Sequence, residues 1–358
     1  MFAYPFTLYK STHEAWTHML RECELAEKTI FIEQYIFQDD EIGKQFINIF
    51  KEKVSKGIKV RILADMVGSY NFYNSELPFE LHKLGIEVRF FNVISPWRIH
   101  NFTSWFFRNH KKTLIIDNKV AFTGGTGVGF HMGLWRDTTA RLEGNVAVEI
   151  GESFEEMWWQ VEDKRLVTRI RKLQKNKQKR DFITNSPFVS KRFLYYVFME
   201  SLRNAKKSIY LTTPYFIPDR RLRRILRLAA HRGVDVKIIV PKIIDVPVVE
   251  SASHSLYDDL LKSGVRIFKY HPAILHAKTA IIDNEWATFG SFNLDSLSFL
   301  YNYEANVVTL DTKFIVEINK QFVDDLKWSD EVLYEKWKKR GFHQKFLELL
   351  TSTIRRFL

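Results

Sequence analysis

His110, Lys112 and Asp117 belong to one segment of order H-x-K-x-x-x-x-D, and the same order returns at His276, Lys278 and Asp283. In each copy six residues separate the aspartate from a turn of small residues, Gly124-Gly125-Thr126-Gly127 in the first and Gly290-Ser291-Phe292-Asn293 in the second. One such pair would carry little weight. A histidine before an apolar strand is usually an ordinary core or surface residue, and a lysine is usually solvated. Packing does not require both at one offset from a glycine turn twice. The repeat therefore predicts two similar halves, each giving one histidine and one lysine to something shared.

The runs Thr113–Ile116 and Thr279–Ile282 are short, apolar and β-branched and read as buried strands. Residues two apart on a strand share a face, so each histidine projects beside its lysine. An ammonium next to an imidazole repels a transition metal but attracts a phosphate oxygen. The imidazole can attack phosphorus or move a proton. With two halves facing, one histidine can be the nucleophile while the other protonates the leaving alcohol and deprotonates the incoming one. The implied reaction is phosphodiester cleavage or exchange through a phosphohistidine, without metal or cofactor. A histidine acting so needs an acceptor on its second ring nitrogen. Asp137, 27 residues after His110, and Glu304, 28 after His276, are the expected orienting carboxylates. Asp117 and Asp283 end their strands and are candidates for the site or for structural hydrogen bonds, the structural role weighing more.

With these motifs the chain resembles the phospholipase D superfamily, and more closely its bacterial cardiolipin synthases. The stretches Glu33–Asp40, Arg108–Lys112, Trp135–Thr139, Pro214–Phe216 and Asn302–Glu304 add to the likeness, which runs from about residue 6 to the C-terminus. The resemblance implies phosphatidyl transfer giving cardiolipin from phosphatidylglycerol, through a phosphatidyl-histidine. His110 would be the nucleophile and His276 the general acid and base, with the inverse as the alternative. Lys112, Lys278 and Asn293, with Gly125 and Ser291 of the turns, would bind phosphate. The family often carries Asn where this chain has Gly127, so the first turn would bind phosphate through backbone N–H groups. Hydrolysis of phospholipid and nuclease activity are the alternatives within the superfamily.

The chain has 358 residues, enough for a large core and two domain-sized halves. Its one cysteine, Cys23, rules out an intrachain disulfide and fits a reducing compartment. Nothing reads as a cleavable signal peptide. No stretch approaches the roughly 20 apolar residues that span a bilayer. The formal charge of +12 calls for an anionic partner. The 30 Phe and 9 Trp tilt that partner toward lipid rather than stacked bases. The expectation is an anionic phospholipid substrate met peripherally, at the cytoplasmic face of the cell membrane, with no nucleic acid.

Stepwise alternation of strands and helices predicts an α/β fold of two similar α/β/α sandwich lobes related by a pseudo-twofold axis. The first lobe spans 1–163 and the second 191–340. A basic connector, 164–190, joins them, and a C-terminal amphipathic helix follows at 341–358. Helices are predicted over Glu14–Lys28, Ile42–Lys56, Phe79–Leu84, Phe193–Lys206, Arg220–His231 and Ser255–Lys262. Strands are predicted over Thr29–Ile36, Lys59–Ala64, Glu87–Phe91, Ser208–Thr213, Asp235–Val240 and Arg266–Tyr270. From Gly85 to His110 is 25 residues, against 12 from Gly264 to His276. The surplus lies in the aromatic segment Asn92–Arg108, which is expected to line an acyl channel, touch the membrane or cover the lobe. The C-terminal helix is expected either on the body or in the bilayer interface.

Overall fold

The computed structural model describes residues 4–94, 106–162, 180–244 and 247–354. The first half carries β1 (Phe6–Ser11), α1 (Thr12–Leu25), β2 (Thr29–Gln34), α2 (Glu41–Ser55), β3 (Lys59–Asp65), α3 (Tyr70–Tyr73), α4 (Leu77–Lys83), β4 (Glu87–Phe91), β5 (Thr113–Ile116), β6 (Val120–Gly124), β7 (Arg136–Glu143) and α5 (Asn145–Glu162). The second carries β8 (Phe182–Asn185), α6 (Phe193–Asn204), β9 (Ser208–Thr212), α7 (Arg220–His231), β10 (Asp235–Pro241), α8 (Pro247–His254), α9 (Tyr257–Lys262), β11 (Arg266–Tyr270), β12 (Thr279–Ile282), β13 (Trp286–Gly290), α10 (Ser296–Leu300), β14 (Glu304–Thr309), α11 (Thr312–Lys327), β15 (Ser329–Glu331), α12 (Tyr334–Trp337) and α13 (Phe342–Ile354).

Several helices begin where a side chain satisfies a free N–H group of the first turn. Ser11 caps α1, Asp40 caps α2, Asp219 caps α7 and Asp311 caps α11. Gly57 follows the end of α2 at φ 82°, a left-handed conformation that glycine reaches without steric cost.

Two sheets result. Their strand orders are β1-β7-β6-β5-β2-β3-β4 and β15-β11-β10-β9-β12-β13-β14-β8. Read from β8 inward, the second order repeats the first strand for strand and adds β15. In each sheet a parallel run, β2-β3-β4 or β9-β10-β11, abuts an antiparallel run that opens with the motif strand, β5 or β12. Period-two alternation then divides the motif strands between cores. Leu114 and Ile116 face an outer core under α1 and α2, while Ala280 and Ile282 face its counterpart under α6 and α7. Ile115 and Ile281 face a third, central core shared by both sheets. That core is filled by Phe154 and Trp158 of α5 and by Phe314, Ile318 and Phe322 of α11. The halves are therefore fused through one apolar layer.

The predicted lobes and most of their elements are present, with ends shifted by one to three residues. The helix expected over Glu14–Lys28 stops at Leu25, so the chain can turn into β2. The helix expected over Ser255–Lys262 starts at Tyr257, and α8 precedes it unanticipated. Helices α5 and α11, which join the halves, were not read from the sequence. The connector's basic run, 164–179, and most of the aromatic segment, 95–105, lie outside the described residues. Arg180 bonds Glu152 at 3.1 Å.

Asp117 and Asp283 make the hydrogen bonds of the structural alternative, the one that weighed more. Each stands at the end of its motif strand remote from the histidine. The Asp117 carboxylate accepts the backbone N–H groups of Glu27, Lys28 and Thr29 at 2.7–2.9 Å. Asp283 accepts those of Lys206, Lys207 and Ser208 at 2.7–2.8 Å. Both aspartates, with the following Asn118 and Asn284, have φ of 53–56°, the paired positive values of a type I′ hairpin turn. The motif aspartate thus ties the hairpin turn to the start of β2 or β9. Partial burial opposes the charge of these carboxyls, but the three amides outweigh it and hold both below the usual carboxylate range. Their contribution is complete at neutral pH and fades as pH falls through that lowered range. Asp117→Asn should lower thermal stability by about 2 kcal/mol, read by calorimetry at pH 7, with kcat per folded enzyme unchanged. A large loss of kcat without loss of stability would restore the catalytic role.

Candidate active site

Antiparallel pairing of β5 with β2, and of β12 with β9, brings the start of each motif to the carboxyl ends of the parallel strands. There the halves are stitched by backbone. His110 N–H donates to Tyr303 C=O at 2.9 Å, and Tyr303 N–H to Arg108 C=O at 2.8 Å. On the other side His276 N–H donates to Arg136 C=O at 2.8 Å, and Arg136 N–H to Ile274 C=O at 2.9 Å. The Arg136 side chain adds a two-point ion pair with Asp325 of α11, at 2.6 and 2.8 Å. Both partners are buried, so removing one of them would cost about 3–5 kcal/mol.

Those stitches place each carboxylate beside the histidine of the opposite half. His110 Nδ1 lies 3.0 Å from Glu304 Oε2, and His276 Nδ1 lies 2.7 Å from Asp137 Oδ2. Sequence spacing named these carboxylates; the crossed pairing is a product of the fold. With Nδ1–H donated to a carboxylate, Nε2 keeps the lone pair for attack or proton transfer. All four side chains are buried or nearly so.

The glycine turns serve these carboxylates. A Cβ on Gly125 would fall 2.1 Å from Asp137 Oδ1, so only glycine lets that carboxylate lie flat against the turn. The counterpart Ser291 instead donates its hydroxyl to Glu304 Oε2. Asn302 Nδ2 donates to the other oxygen at 3.2 Å. Gly125 and Ser291, expected to contact phosphate, have their N–H groups turned to Thr138 C=O and Ala305 C=O at 3.2 and 3.1 Å. Gly125 leaves room for one histidine-orienting carboxylate, and Ser291 donates to the other.

Lys112 and Lys278 fold back so that each ammonium donates to the carbonyl of the histidine two residues before it. Burial, against the pull of nearby carboxylates, pushes Lys112 down to about 8; burial together with the charge of Lys112 pushes Lys278 down to about 7. Burial, with the lysines adding, also holds both histidines below the ordinary imidazole value against the pull of their carboxylates. A phosphodiester placed between the two ammoniums would favour their protonated forms. Asn293 is 4% exposed and its Oδ1 has no hydrogen-bond partner. At the matching place Gly127 leaves room that Met132 borders, its Cε 3.0 Å from where a Cβ would stand. Two aromatics wall the histidines: Tyr35 meets His110 edge-on at 5.0 Å, and Trp135 lies 4.9 Å from His276.

One network was missed in the sequence. Glu33 and Lys111 form a buried pair at 2.9 Å. Asn109 bridges it, donating Nδ2 to Glu33 and its backbone N–H to Asp65, each at 2.8 Å. Arg108 reaches Asp65 at 3.3 Å. The second half has Thr212, Ala277 and Leu275 at the places of Glu33, Lys111 and Asn109. A cation and an anion that appear in only one copy of a repeat were the available signal.

Two outcomes follow from this geometry. Gly125→Ala should displace Asp137 from His276 and cut kcat about 100-fold while the protein stays folded by circular dichroism; wild-type kcat would show that the close approach is not needed. Sulfate, a dianion throughout, should inhibit most strongly below pH 7 and progressively less as pH rises through 7–8, where Lys278 and then Lys112 lose their charge. Inhibition independent of pH up to 9 would contradict the depressed lysines.

Comparison with known proteins agrees with this arrangement. The family described as "Cardiolipin synthase, PLD-like domain" matches residues 19–158 and 198–326. A cardiolipin synthase of Geobacillus kaustophilus is 31% identical over 95% of this chain and 70% of its own length. One from Clostridium perfringens is 31% identical over 97% of this chain and 75% of its own length. The crystal structure of phosphatidylserine synthase from Haemophilus influenzae superposes over 99% of this chain and 95% of that one, with a TM-score of 0.76 at 14% identity, a likeness of fold. Two glycine-turn motifs that meet across a pseudo-twofold axis, and a family match covering both halves, lead to one conclusion: the chain belongs to the cardiolipin synthase family of proteins with the phospholipase D-like fold.

Proposed function

We propose that this chain is a phosphatidyltransferase that forms cardiolipin from two phosphatidylglycerols through a phosphatidyl-histidine. The observation that carries the reading is the pair of buried imidazoles, each oriented at Nδ1 by a carboxylate of the opposite half and each beside a lysine. In the first step His110 Nε2 attacks phosphorus, and the bond from phosphorus to the headgroup glycerol oxygen breaks. His276, protonated at Nε2, gives its proton to that oxygen. In the second step the headgroup hydroxyl of another phosphatidylglycerol loses its proton to His276. Its oxygen attacks phosphorus and the P–N bond breaks, leaving cardiolipin and free His110. Lys112, Lys278 and the Asn293 amide hold the non-bridging oxygens. Burial, with the lysines adding, keeps the histidines neutral before substrate arrives; the negative phosphodiester offsets the lysine part, so protonated His276 becomes accessible once substrate is bound.

The substrate would be met at the inner face of a membrane. No helix among the described residues is long and apolar enough to cross one. Helix α13 supports contact with lipid, because it is turned inside out. Its buried described side chain is Glu348, gripped by Arg340 at 2.7–3.1 Å. Phe342, Phe346 and Leu347 face outward. An apolar face with basic neighbours suits the headgroup–acyl boundary.

Incubation with phosphatidylglycerol vesicles, followed by mass spectrometry, should yield cardiolipin and glycerol, with or without EDTA. The chelator should not matter, because lysines stand beside the histidines and no three His, Cys, Asp or Glu side chains among the described residues converge as around a metal ion. Phosphatidic acid as the sole product would mean hydrolysis, and degradation of DNA without lipid turnover would mean a nuclease. His110→Ala and His276→Ala should each lower turnover by about 10³-fold or more. Only the His276 variant should still trap a covalent phosphatidyl adduct from a substrate with a good leaving group; the opposite result would exchange the two roles.

A further inference from the structure

Resting on the lipid reading, we infer that the segment from Phe188 to Tyr196, with the first turns of α7, is a docking surface for an anionic phospholipid bilayer. The chain leaves β8, passes through a short 3-10 turn at Val189–Lys191 and enters α6. Along this path Phe188, Val189, Phe193 and Tyr196 are 42–62% exposed, while Leu194, Tyr195 and Phe198 of the same helix are buried. The outward residues thus form a raised apolar row and the inward ones a packed base. Hydrogen bonds tie the row to its surroundings. Arg192 donates to Pro187 C=O at 2.9 Å and to Leu300 C=O at 3.4 Å, and the Tyr196 hydroxyl donates to Val189 C=O at 3.3 Å.

Cations flank the row. Lys191 Nζ lies 5.5 Å over the Phe188 ring. Helix α7 is bound to α6 through the Tyr195 hydroxyl, which donates to Asp219 Oδ2 at 3.0 Å and is also near Arg221. Arg220, Arg221 and Arg224 are exposed, and among the described residues none of the three is in an ion pair with a carboxylate. Arg227, one turn further on, has Asp259 at 3.1 Å. Apolar side chains bordered by unbalanced arginines complement a surface with negative headgroups outside and hydrocarbon beneath. A protein partner or a second copy would need carboxylates opposite the arginines. Nucleic acid would leave the row of Phe and Val without a function.

The surface also adjoins the reaction centre. The Phe188 ring packs edge-on to Phe107 at 6.3 Å, and Phe107 is three residues before His110 in the chain. Asn185, just before the row, donates to the Ser298 and Phe299 carbonyls of α10, the helix that follows the Asn293 turn. A bilayer seated on this row would meet the segments that lead to His110 and follow Asn293.

The test uses the full chain and two variants, Phe188→Ser/Val189→Ser/Phe193→Ser and Arg220→Glu/Arg224→Glu. All five positions are exposed and lie outside the catalytic set. Sedimentation with phosphatidylcholine vesicles containing phosphatidylglycerol should show each variant binding about tenfold more weakly than wild type. Cardiolipin formation should fall in parallel on vesicles, yet stay near wild type on phosphatidylglycerol dispersed in detergent. Vesicle binding unchanged in both variants overturns the surface, as does a dimer that light scattering shows the apolar variant to break. Wild-type protein that makes cardiolipin while both variants bind normally would sink the docking surface alone. Wild-type protein that binds anionic vesicles through the row yet makes no cardiolipin would sink the reaction and leave the surface standing.

Discussion

Two hydrogen bonds that cross from one half to the other, His110 to Glu304 and His276 to Asp137, are the constraint on which the rest of the structure depends. Neither half can orient its own histidine. Each imidazole is buried, and its useful tautomer exists only while a carboxylate of the other half accepts from Nδ1. Every larger feature of the fold serves to keep those two contacts in register. The central core is shared between the sheets, α5 and α11 fill it, and the Arg136–Asp325 pair closes it beside Asp137. Rigid coupling of this kind suits chemistry that needs two imidazoles on opposite sides of one phosphorus atom.

The site is also an electrostatic arrangement in which burial and charge pairing oppose each other. Two lysines and two histidines are enclosed with two ionised carboxylates, away from water. Burial lowers the affinity of the lysines for protons against the pull of their carboxylates, and the charge of Lys112 adds to the lowering at Lys278. An entering phosphodiester monoanion relieves that repulsion, so binding and proton distribution are coupled. Asp295, buried beside the same cluster, is pushed up to about 7 by that burial and by the negative charge of Glu304. The protein holds these groups uncomfortably close together, and the substrate's charge makes the arrangement favourable.

Pseudo-symmetry is kept where chemistry requires it and abandoned elsewhere. Histidines, lysines, hairpin aspartates and close-packed glycines correspond across the axis. The surroundings do not: Tyr35 and the buried Glu33–Lys111 pair stand only on the His110 side, and Asn293 faces Gly127. Two equal imidazoles must play unequal parts in a two-step transfer, and these differences in environment are where such inequality would arise.

Some of this was legible in the linear chain. The duplicated spacing identified the histidines, lysines and both orienting carboxylates, because chemistry demands those residue types at fixed offsets. Apolar β-branched runs gave β5 and β12, because strand burial depends on local pattern. Other features depended on contacts far apart in sequence. That Asp137 serves His276 and Glu304 serves His110 follows from backbone stitches between segments more than 130 residues apart. That Gly125 makes room for a carboxylate, while Ser291 donates to one, appears only when the turns are packed against β7 and β14. The hairpin aspartates were candidates for two roles until Asp117 and Asp283 were seen accepting three amides each. Residue type and spacing determined which groups could react; the packing of two halves into one core decided which groups meet, because hydrogen bonds and burial act over distances in space that the order of the chain does not encode.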